Sequence, residues 1–124
     1  MQLKDAEMFC SKWLPSWTGG VEAVENLLSF YSEDTFYLDP VMKEGIHGKK
    51  RLSQYFNKLL AKNPDWKWNA VELIPTLKGF TLKWQATFPK NESELILFGL
   101  DIVEIENNLI SRNEVYFDRS DLLT

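Results

Sequence analysis

The order of hydrophobic periods along this 124-residue chain predicts an α+β domain, a curved antiparallel sheet with a cone-shaped interior packed against three N-terminal helices. Two observations carry the prediction. Helix-period apolar stripes fill the first half, with one short strand among them. The second half then reads as four long strands divided by turn residues. No internal repeat or low-complexity linker interrupts the chain, and its length suits one domain over 1–124 whose core needs no metal or disulfide.

The first helix is read from Ala6, Phe9, Cys10, Trp13 and Trp17, spaced three and four apart, and Thr18-Gly19-Gly20 breaks it. A second stripe of Val21, Val24, Leu27, Leu28 and Tyr31 ends at Ser32-Glu33-Asp34, and Thr35 to Leu38 reads as a short strand. Pro40 cannot continue a central ladder, so Asp39 is expected at a strand end or turn. The segment from Val41 to His47 reads as a loop closed by Gly45 and Gly48. The third helix is the clearest, with Leu52, Tyr55, Phe56, Leu59 and Leu60 on one face and Asn63-Pro64-Asp65 as its stop. Strands follow at Trp66 to Ile74, Phe80 to Phe88, Glu94 to Glu106 and Leu109 to Phe117. Asn107-Asn108 between the last two tolerates the left-handed backbone of a tight hairpin.

Composition removes several classes of function. A net charge of −4 argues against nucleic acid, and the one basic cluster, Lys49-Lys50-Arg51, reads as the solvated start of the third helix. Cys10 is the only cysteine and His47 the only histidine, so no internal disulfide, cysteine zinc cluster or multi-histidine metal site is expected. No apolar run reaches membrane-span length and no signal-peptide pattern opens the chain, so the expected compartment is the cytoplasm. Five Trp, eight Phe and four Tyr are many for this length; aromatics fill cores and also wall small-molecule pockets.

Two aspartates stand in apolar strand contexts, Asp39 in Tyr37-Leu38-Asp39-Pro40-Val41 and Asp101 in Phe98-Gly99-Leu100-Asp101-Ile102-Val103. A buried carboxylate is costly unless it is hydrogen-bonded or its pKa rises, so both are candidate pocket residues. Asp101 shares its strand phase with Leu97, Gly99, Val103 and Ile105, an inward face. It serves equally well as a structural carboxylate accepting from a helix N-terminus or a Trp N–H. Asp39 before Pro40 also fits a plain turn. Tyr37 shares the phase of Asp39, and Asn113 that of Val115 and Phe117, which makes both candidate polar contacts for a ligand. Trp13, Trp17 and Trp84 are candidate pocket walls or core, and His47 is a candidate gate or a solvent-exposed loop residue.

Several local motifs resemble the nuclear transport factor 2-like superfamily, which includes SnoaL-like polyketide cyclases, ketosteroid isomerases and limonene epoxide hydrolases. The carriers are Phe30-Tyr31-Ser32-Glu33-Asp34 running into Tyr37-Leu38-Asp39-Pro40, then Gly45-Ile46-His47-Gly48, and the stretch Leu109-Ile110-Ser111-Arg112-Asn113-Glu114-Val115-Tyr116-Phe117-Asp118. The resemblance covers nearly the whole chain. It implies that Asp39-Pro40-Val41 is similar to the segment holding the isomerases' general base, and that Asp101 is similar to their protonated oxyanion-hole aspartate. The chain departs from them in the first helix, which offers Trp13 and Trp17 where they place a Tyr donor. It departs from the epoxide hydrolases at Val115, where their catalytic Asp stands, although Tyr37 and Asp39 resemble their water-positioning pair and Lys83 and Gln85 fall near their Arg and Asp.

Two functions follow as expectations. The first is a site for a small, largely apolar carbonyl or phenolic compound, isomerised or cyclised with Asp39 as base and neutral Asp101 holding the oxyanion, without cofactor or metal. The second is a non-catalytic module whose cone is filled by Trp13, Trp17, Phe36 and Trp84. A homodimer through the outer sheet face, marked by Arg112, Glu114 and Tyr116, is common to this superfamily and is expected here. A cavity of about 300 Å³ or more reaching Asp39 and Asp101 would favour the first.

Overall fold

Pro15 lacks an N–H and crowds the preceding turn, so the first helix cannot run on to Trp17 as its apolar stripe predicts. The computed structural model describes residues 1–120. In it α1 spans Leu3–Trp13, and a 3-10 turn over Leu14–Trp17 carries the stripe onward. The second stripe is split likewise, into a 3-10 turn at Gly20–Ala23 and a short α2 at Val24–Leu28. Val21 is 53% exposed, so it lies off the buried face that the helical reading gave it. Tyr31 belongs instead to β1, Tyr31–Leu38. The amide of Ile110 donates to the carbonyl of Phe30 at 2.7 Å, and Tyr31 pairs with Ile110, so a partner far along the chain overrides the local helical pattern.

The loop before the third helix holds a two-residue strand, β2 (Ile46–His47), paired with β1. α3 runs over Lys49–Lys62 with Leu52, Phe56 and Leu60 fully buried, as its stripe requires. The long strands are β3 (Lys67–Pro75), β4 (Gly79–Lys90), β5 (Ser93–Glu106) and β6 (Leu109–Tyr116). Asn107 and Asn108 have φ of 52° and 66°, the left-handed pair that a tight two-residue hairpin needs.

The sheet is open, with strand order β2-β1-β6-β5-β4-β3. All neighbours are antiparallel except β1 and β6, which run parallel. The helices cover one face. Register shifts between Ala70 and Glu72 and between Glu104 and Ile105 mark irregularities, the kind of bulge that bends strands and sharpens twist. Trp13, Tyr31, Tyr37, Phe56, Phe80 and Trp84 are the largest fully buried side chains, and they form the floor between helices and sheet. Among the described residues no helix is long and apolar enough to cross a membrane, and no group of three or more metal-ligating side chains converges.

Candidate active site in the cone

One face of α3, inward residues of β3 to β6, and the 3-10 turn after α1 leave a cavity of about 730 Å³ between them. Tyr55, Leu59 and Lys62 reach it from α3, at helical spacings of four and three. Val115, Phe117 and Arg119 reach it from the end of β6 and the segment beyond, at every second residue. Trp17, Trp66, Trp68, Trp84 and Phe88 wall it with aromatic surface, and both Asp39 and Asp101 open onto it. The indoles pack edge to face, Trp68 against Trp66, Trp84 and Phe88, which fixes the walls without filling the space.

Asp101 is 5% exposed and sits at the centre of a buried polar network. Trp84 Nε1–H donates to its Oδ1 at 2.8 Å, and Asn113 Nδ2–H donates to its Oδ2 at 3.0 Å. Behind Asn113, Tyr31 O–H donates to Oδ1 of the amide at 2.8 Å, and Trp13 Nε1–H donates to the Tyr31 hydroxyl at 3.3 Å. Every donor points towards the carboxyl. Tyr31 thereby fixes which end of the Asn113 amide faces Asp101. Burial pushes the Asp101 pKa up from 3.8 to about 6; the bonds from Asn113 and Trp84 pull it down, and the nearby charge of Asp39 pushes it up further. Two donors leave acceptor capacity on a carboxylate, so Asp101 has room for a ligand hydroxyl.

Asp39, 6% exposed, is held differently. Tyr37 and Tyr55 hydroxyls donate to its Oδ2 at 2.8 and 2.6 Å. The amides of Val41 and Met42 donate to its Oδ1 at 2.9 and 2.8 Å, the side-chain turn that an Asp-Pro pair suggests. Four bonds take up the roughly four lone-pair positions of a carboxylate. Burial and the bond to Asp39 push both tyrosine pKa values well above the ordinary one, so both stay protonated donors. For Asp39 to accept a proton from a ligand, one of the four donors has to leave.

No protein-family model matches the sequence, and no curated protein matches it. Solved structures do match in shape. A nuclear transport factor 2-like protein of unknown function from Exiguobacterium superposes with a TM-score of 0.73 at 16% identity, over 90% of this chain and 99% of that one. A Catenulispora acidiphila protein with a ketosteroid isomerase-like fold gives 0.78 at 14% identity, over 93% and 88%. A SnoaL-like protein of unknown function from Burkholderia thailandensis gives 0.78 at 12%, over 95% and 98%. The chain has the nuclear transport factor 2-like fold. At these identities the likeness is one of fold, and the chemistry has to be read from the side chains.

Within this nuclear transport factor 2-like cone the residues anticipated from sequence fall into two groups. Asp39, Asp101, Tyr37, Trp17 and Trp84 line the cavity. Trp13 and Asn113 lie behind it, fully buried, and act on it only through hydrogen bonds. His47 is exposed, with its ring 4.8 Å from that of Phe36 on the edge of the sheet, and it does not line the cavity, which leaves the solvent-exposed of its two readings. Phe36 also packs there, where a Cβ on Gly45 would fall 2.3 Å from its ring, and so does not fill the cone. Cys10 is buried as its place on the α1 stripe predicts, with burial pushing its thiol up to about 11. Sequence reasoning missed Tyr31 and Tyr55 as network members, and Trp66, Trp68, Lys62 and Arg119 as lining. A signal for Tyr55 did exist, because a tyrosine on a buried helical stripe needs a partner for its hydroxyl.

Proposed function

We propose that this chain binds a small, largely apolar carbonyl or phenolic compound in the cone and exchanges a proton with it through Asp101. The observation that carries the reading is the carboxyl with a pKa of about 6 opening onto a 730 Å³ aromatic cavity. A group titrating near neutral pH suits proton transfer in either direction, and its position among indoles suits a flat apolar substrate. This reverses the roles implied by the ketosteroid isomerase resemblance. With a pKa of about 6, Asp101 is mostly ionised at pH 7, by roughly ten to one, and acts as the base; it holds an oxyanion as a neutral acid only below pH 6. Asp39, saturated with donors, is assigned no proton transfer; its nearby charge lifts the pKa of Asp101.

The test is a thermal-shift screen of wild type and Asp101→Leu against steroid, polyketide-like and phenolic compounds at pH 5 and pH 8. A ligand at about 100 times its Kd stabilises by roughly 2.7 kcal/mol, several degrees for a domain of this size. The expected result is a set of hits that Asp101→Leu loses. No hits, with Asp101→Leu more stable than wild type at both pH values, would leave Asp101 a structural carboxylate and remove the enzyme reading.

The outer sheet face supports a homodimer in the same reading. Ile96, Phe98, Leu100 and Tyr116 form an exposed apolar strip there, Phe98 being 56% exposed. Lys83 and the Arg112 cluster with Glu104 and Glu114 border it, so each copy offers both signs of charge to a two-fold partner. Sedimentation equilibrium is expected to give twice the 14.5 kDa chain mass for wild type and the single mass for Phe98→Lys. A wild-type monomer at 100 μM would remove the homodimer.

A further inference from the structure

Among the described residues no ion pair joins the charges at the cavity mouth. Lys62 and Asp65 line the cavity from exposed positions at the end of α3, and Arg119 does so half-buried from the segment after β6, so these three mark the opening. Among the described residues neither Lys62 nor Arg119 makes a hydrogen bond or ion pair; the two ion pairs found there both belong to Arg112 on the outer face. Arg119 is aimed inward, because it continues the every-second-residue pattern of Val115 and Phe117 and its charge acts on the Tyr55 phenol. The cavity carboxylates are engaged elsewhere: Asp39 is saturated by four donors, and Asp101 accepts from Trp84 and Asn113, with no ion pair to Arg119. Two cations, Lys62 from α3 and Arg119 from the segment after β6, thus line the mouth with one acid, Asp65, while the chain as a whole carries −4.

We propose that Arg119 and Lys62 receive an anionic group of the ligand, so that the compound taken is a cyclic apolar acid with its carboxylate at the mouth, its ring body between the indoles, and a hydroxyl or carbonyl at Asp101. This rests on the cavity being the ligand site proposed above. Spacing bounds the size. Val115 is in register with Asp101, and Arg119 lies four residues further on, at most about 14 Å of extended backbone. Lys62 lies seven residues along α3 from Tyr55, about 10 Å of helix. Those spans fit two or three fused rings. A planar guanidinium also matches a carboxylate with two parallel N–H bonds, which a point charge does not.

Isothermal titration of the full chain at pH 7 tests this with 6-hydroxy-2-naphthoate, its methyl ester and 2-naphthol. The expected result is that the carboxylate binds about ten-fold more tightly than the ester, the size of one charge-assisted bond. Arg119→Gln is expected to erase most of that preference, weakening the carboxylate far more than the ester. Lys62→Gln, measured separately, is expected to erase a smaller part. In wild type, added salt should weaken the carboxylate and leave the ester unmoved. If the ester binds as tightly as the carboxylate, or if Arg119→Gln weakens both equally, the anion site is overturned while the cavity remains a ligand site. If none of the three probes binds, the ligand reading itself falls, and the anion site with it.

Discussion

From pH 3.5 to pH 7 the wild-type protein is expected to lose about 3 kcal/mol of stability relative to Asp101→Asn. Burial raises the Asp101 pKa to about 6 in the folded state, above the 3.8 of an exposed aspartate, so the folded protein holds the proton more tightly than the unfolded chain. The stabilisation is fully present below pH 3.8 and is lost as the pH rises through about 6. Asparagine carries no proton to lose, so the difference between the two proteins isolates this one group from the other carboxylates. Asparagine also brings a fixed offset. Its amide N–H must face either the Trp84 or the Asn113 donor, and Asn113 cannot turn round without breaking its bond from Tyr31. The variant is therefore expected to be the less stable protein in acid and to close the gap towards neutrality. Urea denaturation at half-unit pH steps measures this; a difference that stays flat with pH would mean that Asp101 does not titrate in this range.

Gly99→Ala is expected to destabilise the protein by about 3–5 kcal/mol, far more than a strand substitution ordinarily does. A Cβ at position 99 would fall 2.2 Å from Cζ2 of Trp84 and 2.5 Å from its Cη2. The indole cannot step aside cheaply, because Trp68 and Phe117 pack against it edge to face and Trp84 is 1% exposed. The methyl group either strains the core or drives the indole off Asp101, breaking the 2.8 Å bond. Losing that bond also raises the Asp101 pKa, since the bond lowers it. A double-mutant cycle with Trp84→Leu separates the two residues' effects. The double variant should be less destabilised than the sum of the singles by more than about 1 kcal/mol, because the smaller side chain makes room for the methyl. Simple additivity would show that Trp84 does not lie across Gly99.

The candidate site was legible where a residue broke its own local pattern. Asp39 and Asp101 stand out because strand alternation predicts apolar side chains at their phase. Tyr31 and Tyr55 do not break a pattern; on an apolar stripe a tyrosine reads as one more hydrophobe, and its hydroxyl partner is chosen by packing between segments distant in sequence. Arg119 lies beyond the last predicted strand, where no period extends to show its direction. In the fold, α3 and the Asn107-Asn108 hairpin were legible because their signals are local. The parallel alignment of β1 with β6 was not, since nothing in either strand names a neighbour 76 or more residues away, and the local pattern around Tyr31 reads as helix for the same reason.

That parallel pairing also sets a schedule for synthesis. Tyr37 waits for Asn113, its partner in register, through 76 further residues. At about 5–20 residues per second that is roughly 4–15 s on the ribosome with one edge of β1 open to water or to a chaperone. The helices and their hydrophobic faces emerge in the same interval, before the sheet they cover exists. Asp101 and Asn113 both emerge after all of them, so the carboxyl and the amide that orients it join a site whose helical wall has already left the ribosome.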